Sequence, residues 1–522
     1  MSYQAGIDRD QAVLFPMTIE ELIPQEHLVR IIDLFIQNTD LKKLGFSDEH
    51  ISIEGRPGYD PKDLLKLYLY GYLNRIRTSR LLERECVRNI ELIWLLKGLT
   101  PCFRTIAGFR SENAEGLKNL FRYFVQLLKE WNLVGGENIA IDSSKFRAVN
   151  SKKNNFNPRK IERQLLYIEE KIARYLKELD QADQSDRNKE DIQQDLVKQL
   201  SRKIKYNDLK KKLDESNLGQ ISTTDPDSRS MILHGSVIEV AYNIQTAVDD
   251  KNSLIVHYQA TNQNDRKALH PIAKATKVIL EKEQITVLAD KGYHNAEQIH
   301  ACKEDCIETY VAVQDTPRKN EIPTERYYGE KFEYDEIQDT FTCPQGSTLS
   351  TNGNWYNKKY ENYITKIKHY KTKACGTCTA RNQCTTNPHG RIIERSEYAK
   401  AVEENKKRME TNLKRYLLRQ QIVEHPFGTI KRQWSMDHIL LKGLKKNDGE
   451  FGLIYLTYNF RRVMNIFGFK EFIKRLQKLF SLSCSLLCTG GVNIVDIIFS
   501  WYSAMQSRIG NKKLISFGFC TN

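Results

Sequence analysis

At 522 residues the chain exceeds what one ordinary hydrophobic core organises, so two to four domains or large insertions are expected. Apolar residues make up 40% and charged residues 28%, a globular balance, and eleven cysteines over this length do not make a disulfide scaffold. Lys plus Arg outnumber Asp plus Glu by 80 to 66, a net charge of +14 with a pI near 9.0, which suits a polyanionic partner such as nucleic acid. The opening MSYQAGIDRD has no charged segment followed by an apolar one, so no signal peptide is expected. The apolar stretch from Leu479 to Trp501 is broken by Gly490, Gly491, Asn493 and Asp496, which argues against a membrane span. A cytoplasmic, nucleoid-associated protein follows as the expectation.

In chain order, residues 1–131 carry helical spacing. His27 to Gln37 and Asp63 to Ile76 are periodic in apolar residues. Three short helical stretches follow, TSRLLERECVRN, IELIWLLKG and FRTIAGFRSEN, the last after the Thr100-Pro101 break. They fit a helix-turn-helix or a plain helical bundle, and the sequence does not choose between them. On the first reading, Arg104 and Arg110 lie on the recognition helix, within reach of base edges.

The texture changes at Asn138. ENIAIDSSKF predicts a short strand, Ile139 to Ile141, ending on Asp142. Residues 157–217 are highly charged with leucine and isoleucine at helical spacing, which predicts an antiparallel helical hairpin. Strands are predicted over 240–248 and 254–261, then a helix from Asp265 to Lys282. A strand ITVLA ends on Asp290 and is followed by a helix from Asn295 to Lys303 and a strand over 309–313. Three antiparallel strands followed by alternating helix and strand suit an α/β sheet of the ribonuclease H type. In such a sheet Asp142 and Asp290 lie side by side, a seat for a hard divalent cation. Asp290 is equally suited to cap the turn after its strand. Asp249 and Asp250 fall at the opposite end and are read as structural.

Two later segments carry chemistry. Between Lys414 and Lys446 eight basic residues surround only two acids, Glu424 and Asp437. Lys431 lies seven residues beyond Glu424, about two helical turns, so the two could share a helix face. Pro426 suits a first turn or a kink, which sets Glu424 at a helix start. Upstream, Cys343 lies in TCPQG, and ACGTCTARNQC supplies Cys375, Cys378 and Cys384. This set suits a tetrahedral structural Zn²⁺, with buried unligated thiols as the alternative.

IAIDSSKF, TVLADKGYHN and QIVEHPFGTIKRQW resemble the three acidic motifs of bacterial insertion-sequence DDE transposases. The stretch from Gly55 to Cys86, DPDSRSM, and the segment from Ala241 to Leu269 are similar to one large group of that family. The resemblance implies a catalytic triad of Asp142, Asp290 and Glu424 holding two Mg²⁺ (or Mn²⁺) ions for phosphoryl transfer. It also implies that Lys431, Tyr416 and Arg419 hold DNA phosphates. Many relatives place that arginine four residues before the glutamate, where this chain has Gln420. A cysteine-rich insertion before the glutamate is implied as well.

The expected organisation is a helical N-terminal DNA-binding domain over 1–135 and a ribonuclease H-like α/β catalytic domain over 136–475. The latter carries a helical-hairpin insertion at 157–217 and a zinc-type insertion at 325–395, and a tail of unassigned role spans 476–522. Expected partners are the element's terminal repeats and target DNA, bound by a homodimer, with no membrane. A metal-dependent nuclease without strand transfer, or a non-catalytic DNA-binding protein, are the competing readings.

Overall fold

The computed structural model describes residues 18–46, 58–180, 189–216, 219–313, 322–360 and 363–488. The first six helices are α1 (Leu28–Gln37), α2 (Pro61–Leu73), α3 (Ser79–Arg88), α4 (Ile90–Leu95), α5 (Phe103–Glu112) and α6 (Ala114–Glu130). Their starts follow local chemistry. The Asp60 carboxylate accepts the Lys62 N–H at 2.8 Å with Pro61 next in line, and Asn89 accepts the Glu91 N–H at 3.0 Å. The three short helices expected between residues 79 and 112 are all present, with α3 packed on α5.

Strand β1 (Asn138–Arg147) follows, then β2 (Asn155–Phe156), α7 (Pro158–Asp180), α8 (Lys189–Ser216) and β3 (Ile221–Ser222). Helices α7 and α8 pack on each other, the hairpin read from the charge and leucine pattern. Phe156, Ile161, Leu209 and Leu213 form a small core of their own at its base. Its polar break at 181–188 lies outside the described residues.

The main sheet continues with β4 (Arg229–His234), β5 (Val237–Asp249), β6 (Ile255–Thr261), helix α9 (Leu269–Leu280), β7 (Ile285–Ala289), α10 (Ala296–Glu304) and β8 (Ile307–Val311). The order across it is β4-β5-β1-β7-β8, with β6 also pairing β5. Strands β1, β4 and β6 run antiparallel to β5, whereas β1, β7 and β8 run parallel to one another. This is the mixed α/β sheet expected. Some boundaries differ. The last strand starts two residues before the expected 309, and the helix expected from Asp265 begins as a 3-10 turn, Asp265–Lys267, before α9.

The cysteine-rich segment folds into two small antiparallel sheets, β9 (Glu333–Asp335), β10 (Thr340–Thr342) and β11 (Thr348–Ser350), then β12 (Tyr356–Tyr360), β13 (Tyr363–Tyr370) and, after the one-turn helix α11 (Arg381–Cys384), β14 (Ile393–Ser396). Phe332, Phe341, Leu349, Tyr370 and Ile393 make its separate core. Three α-helices complete the described residues: α12 (Ala399–Thr411), α13 (Leu413–Phe427) and α14 (Leu444–Cys488), the last kinked at Gly468. The tail from 489 lies outside the described residues, and no described helix is long and apolar enough to cross a membrane.

Helix α14 joins the N-terminal helices to the sheet. It packs along α6, on α2 and on β6, and a single apolar core runs from Ile23 to Leu476. Gly449 and Gly452 permit the approach to α6, because a Cβ there would lie 2.5 Å from the Ala114 Cα and 2.8 Å from the Leu117 carbonyl oxygen. Phe35, Phe124 and Phe460 pack together at centroid distances of 5.5–5.8 Å in this seam, Phe124 stacked on Phe460 and edge-on to Phe35. Each such buried aromatic contributes about 1.5–3 kcal/mol through removal from water.

Candidate active site

Strand register brings the first two acids together. In the parallel pair of β1 and β7, Ile141 lies opposite Ala289, so Asp142 and Asp290 are the next residues on each. The structure corrects one detail. Strand β1 does not end at Asp142; it runs on to Arg147, paired with β5 down to Ala241. It is β7 that stops, and Asp142 occupies the place where β1 loses its parallel neighbour.

Side-chain alternation separates the two faces of the sheet. Phe146 and Thr246 contact α14, with ring centroids 4.7 Å apart at Phe451 and the Thr246 hydroxyl 2.9 Å from the Tyr455 hydroxyl. Asp142 shares the parity of Phe146, and its Oδ2 meets the Arg419 guanidinium of α13 at 3.2 Å. Burial pushes the Asp142 carboxyl up to about 6. The Ser143 N–H and Arg419 oppose this, while the charges of Asp290 and Asp265 add to it. Asp290 is the turn cap that the sequence offered as one reading, and it also stands next to Asp142. Its Oδ1 accepts the Gly292 N–H, capping the 3-10 turn Lys291–Tyr293.

Glu424 stands apart. It lies in the last turns of α13, not at a helix start, and Pro426 is inside that helix near its end. The carboxylate is exposed and accepts a hydrogen bond from Gln420 at 2.7 Å. Lys431 lies within a π-helical turn, Gly428–Gln433, so the seven-residue step no longer measures two α-turns. Lys431 therefore turns inward: its ammonium donates to the Lys145 carbonyl at 2.6 Å and lies 4.5 Å from the Phe146 ring centroid. Burial pulls it down to about 8. Arg419, expected on phosphate, is instead paired with Asp142, 5.9 Å from the half-buried Tyr416 ring.

The two arginines of α5 also part. Arg104 is exposed. Arg110 is 4% exposed and donates to the Tyr72 hydroxyl at 2.9 Å and the Arg77 carbonyl at 3.1 Å, beside the buried Glu450. It cannot read bases. Six residues at 100° each turn the two side chains about 120° apart on one helix, so they never shared a face.

One acid escaped the sequence reading. Asp265, in the turn after β6, accepts from the amides of Asn243 and Gln245, both at 2.7 Å. Its other oxygen and Asp290 Oδ1 lie 3.9 and 3.1 Å from where a Gly292 Cβ would stand. The signal available was the glycine two residues after Asp290, which leaves that notch open. Asp249 is structural as expected, accepting the Gly135 and Gly136 N–H groups at the other end of β5.

Among the described residues no three Asp, Glu, His or Cys side chains form a ready ligand set. The donors at Asp142 and Asp290 nonetheless fit a hard divalent cation, being carboxylate oxygens beside the open notch at Gly292. Cys343, Cys375, Cys378 and Cys384 line one cavity of about 30 Å³. Burial raises the Cys384 thiol; the nearby Arg391 opposes this and the three other sulfurs add to it, so the four thiols are neighbours.

Two family matches bear on this geometry. Residues 342–464 match the family described as Transposase DDE domain, and residues 17–112 match Transposase domain (DUF772). The first spans the four cysteines, Glu424 and Lys431 and leaves out Asp142 and Asp290. Among curated proteins there is no match. A solved structure, the cryo-EM structure of a piggyBac transposase synaptic complex with hairpin DNA, is similar over 87% of this chain and 79% of that one, at 9% identity and a TM-score of 0.32. The two matched segments, together under half of the chain, are similar to transposase domains and support a DDE-type insertion-sequence transposase.

Proposed function

We propose that the chain binds the ends of its insertion element, hydrolyses the phosphodiester there and joins the freed 3′-hydroxyl to target DNA, on a ribonuclease H-like sheet. The observation that carries this reading is the pairing of Asp142 and Asp290 at the point where β7 ends against β1. Asp142 and Asp290, with Glu424 supplied from α13, would hold Mg²⁺ or Mn²⁺. Bound there, a pair of such ions activates the attacking oxygen and offsets charge on the leaving one.

The chain's own groups do the rest. Arg419 balances the buried Asp142 charge in the DNA-free state, and Tyr416 and Lys431 meet the DNA backbone, which positions the strand without reading its sequence. Arg104 is the remaining base-reading candidate on α5. A homodimer would bring two ends together. The four cysteines would hold a structural Zn²⁺ that fixes the small sheets ahead of α12, with thiolates as its soft donors.

Purified protein should nick DNA carrying the element's ends only with added Mg²⁺ or Mn²⁺, and join a precut end to a target. Cleavage that persists in Asp142→Asn removes the assignment; cleavage without joining identifies a nuclease. Elemental analysis should find about one zinc per chain, lost when Cys375 and Cys378 are both changed to Ser.

A further inference from the structure

Behind the acids, on the face of the sheet away from α14, four polar side chains form a linear chain of hydrogen bonds. The Tyr293 hydroxyl donates to Gln245 Oε1 at 2.5 Å. The same Gln245 amide donates through Nε2 to Asp265 Oδ1 at 2.7 Å, where Asn243 also donates at 2.7 Å. Asn243 donates further to the Gln263 carbonyl at 3.0 Å. Tyr293, Gln245 and Asn243 are all 1% exposed or less.

The chain connects three elements that share no backbone pairing at this point. Asn243 and Gln245 sit mid-strand in β5, Asp265 opens the turn after β6, and Tyr293 closes the turn that begins at Asp290. Polar groups buried this deeply carry a desolvation cost that a merely space-filling apolar pair would avoid. What the arrangement supplies in return is direction, because the Tyr293–Gln245–Asp265 hydrogen bonds fix the relative placement of their members, although the buried Asn243 Oδ1 has no partner. The turn at Asp290 has no strand beyond it to hold it, since β7 ends at Ala289. Its Oδ1 is already committed to the Gly292 N–H, so the orientation of the turn sets where the second oxygen points.

We propose that Tyr293, Gln245 and Asp265 are positioning residues that lock the Asp290 turn against β5, so that Asp290 presents its free oxygen toward Asp142 before any cation arrives. The inference rests on the reading of Asp142 and Asp290 as cation ligands. Asp265 acts here as a hydrogen-bond acceptor for two amides, and its charge is secondary. This role makes a specific demand: an asparagine at 265, which still offers an acceptor oxygen to both amides, should serve, and an alanine should not.

The test is Mn²⁺ binding to the full-length, DNA-free protein, read from the loss of the free-ion paramagnetic resonance signal. Thermal melting and metal-dependent cleavage rates are followed alongside. Tyr293→Phe and Asp265→Ala should each weaken Mn²⁺ binding about 10-fold or more, as loss of an outer-shell partner does. Cleavage at saturating Mn²⁺ should recover most of its rate, and Asp265→Asn should restore most of what Asp265→Ala loses. Lowered melting temperatures with unchanged Mn²⁺ affinity would make the network purely structural and overturn the proposal. An Asp265→Asn defect as large as that of Asp265→Ala would also overturn it, since charge would then be the active property. Asp142→Asn and Asp290→Asn separate the two levels: if neither alters Mn²⁺ binding, the underlying site assignment fails, whatever the network variants do.

Discussion

The strand-borne acids and the helix-borne acid of the proposed site are held in opposite ways. Asp142 and Asp290 are fixed by sheet register, by the Gly292 cap and by the amide network behind them. Glu424 lies on the exposed side of α13 and accepts a hydrogen bond from Gln420 one turn earlier. Backbone pairing fixes two carboxylates without help from a ligand, and burial, with a smaller contribution from the neighbouring Asp290 charge, leaves the Asp142 carboxyl raised. A helix surface fixes nothing beyond its own axis, so the third acid waits for something to draw it in.

The largest effect should come from breaking either half and reading two signals at once. Asp142→Asn, Asp290→Asn and Glu424→Gln should each lower cleavage by about 10⁴-fold, as removal of one member of a catalytic unit does. Only the two strand variants should also remove Mn²⁺ binding by the DNA-free protein; Glu424→Gln should change it less than about threefold. Equal loss of Mn²⁺ binding in all three would erase the contrast.

The same division between held and free groups separates the arginines of α5. Arg110→Ala leaves the buried Glu450 with one guanidinium partner fewer and should destabilise the fold by about 3–5 kcal/mol in urea unfolding. Arg104→Ala touches an exposed side chain and should leave stability within about 0.5 kcal/mol. On DNA it should cost about 1–3 kcal/mol and relax preference at one position, seen in gel-shift titrations of specific against scrambled ends. Equal loss on both DNAs would make α5 pure scaffold.

The smallest effect concerns Lys431. Its ammonium, lowered to about 8 by burial, can hold a phosphate only while protonated. End binding should therefore be full below pH 8 and weaken about fivefold as the pH rises through that value, a loss of about 1 kcal/mol. Lys431→Arg, charged throughout, should flatten the profile. A wild-type profile already flat across pH 7–9 would show that Lys431 serves the Lys145 carbonyl alone.

The sequence by itself determined five of the six sheet strands, all but β4, and the adjacency of Asp142 and Asp290. Strand patterning is local and register then enforces it, although β1 runs past Asp142. It also determined the α7–α8 hairpin, whose apolar spacing repeats over many turns, and the grouping of the four cysteines. Only the tertiary structure decided which way single helical side chains face. Arg110 went inward because Glu450, 340 residues on, offers a buried countercharge. Lys431 went inward because a π-turn shifted its phase, and Glu424 stayed outside. Asp265 joined the site through two amides on a strand twenty residues earlier. Facing depends on what stands opposite, and what stands opposite comes from distant chain. Periodicity fixes an element and its register; it carries no information about which partner will be packed against each side.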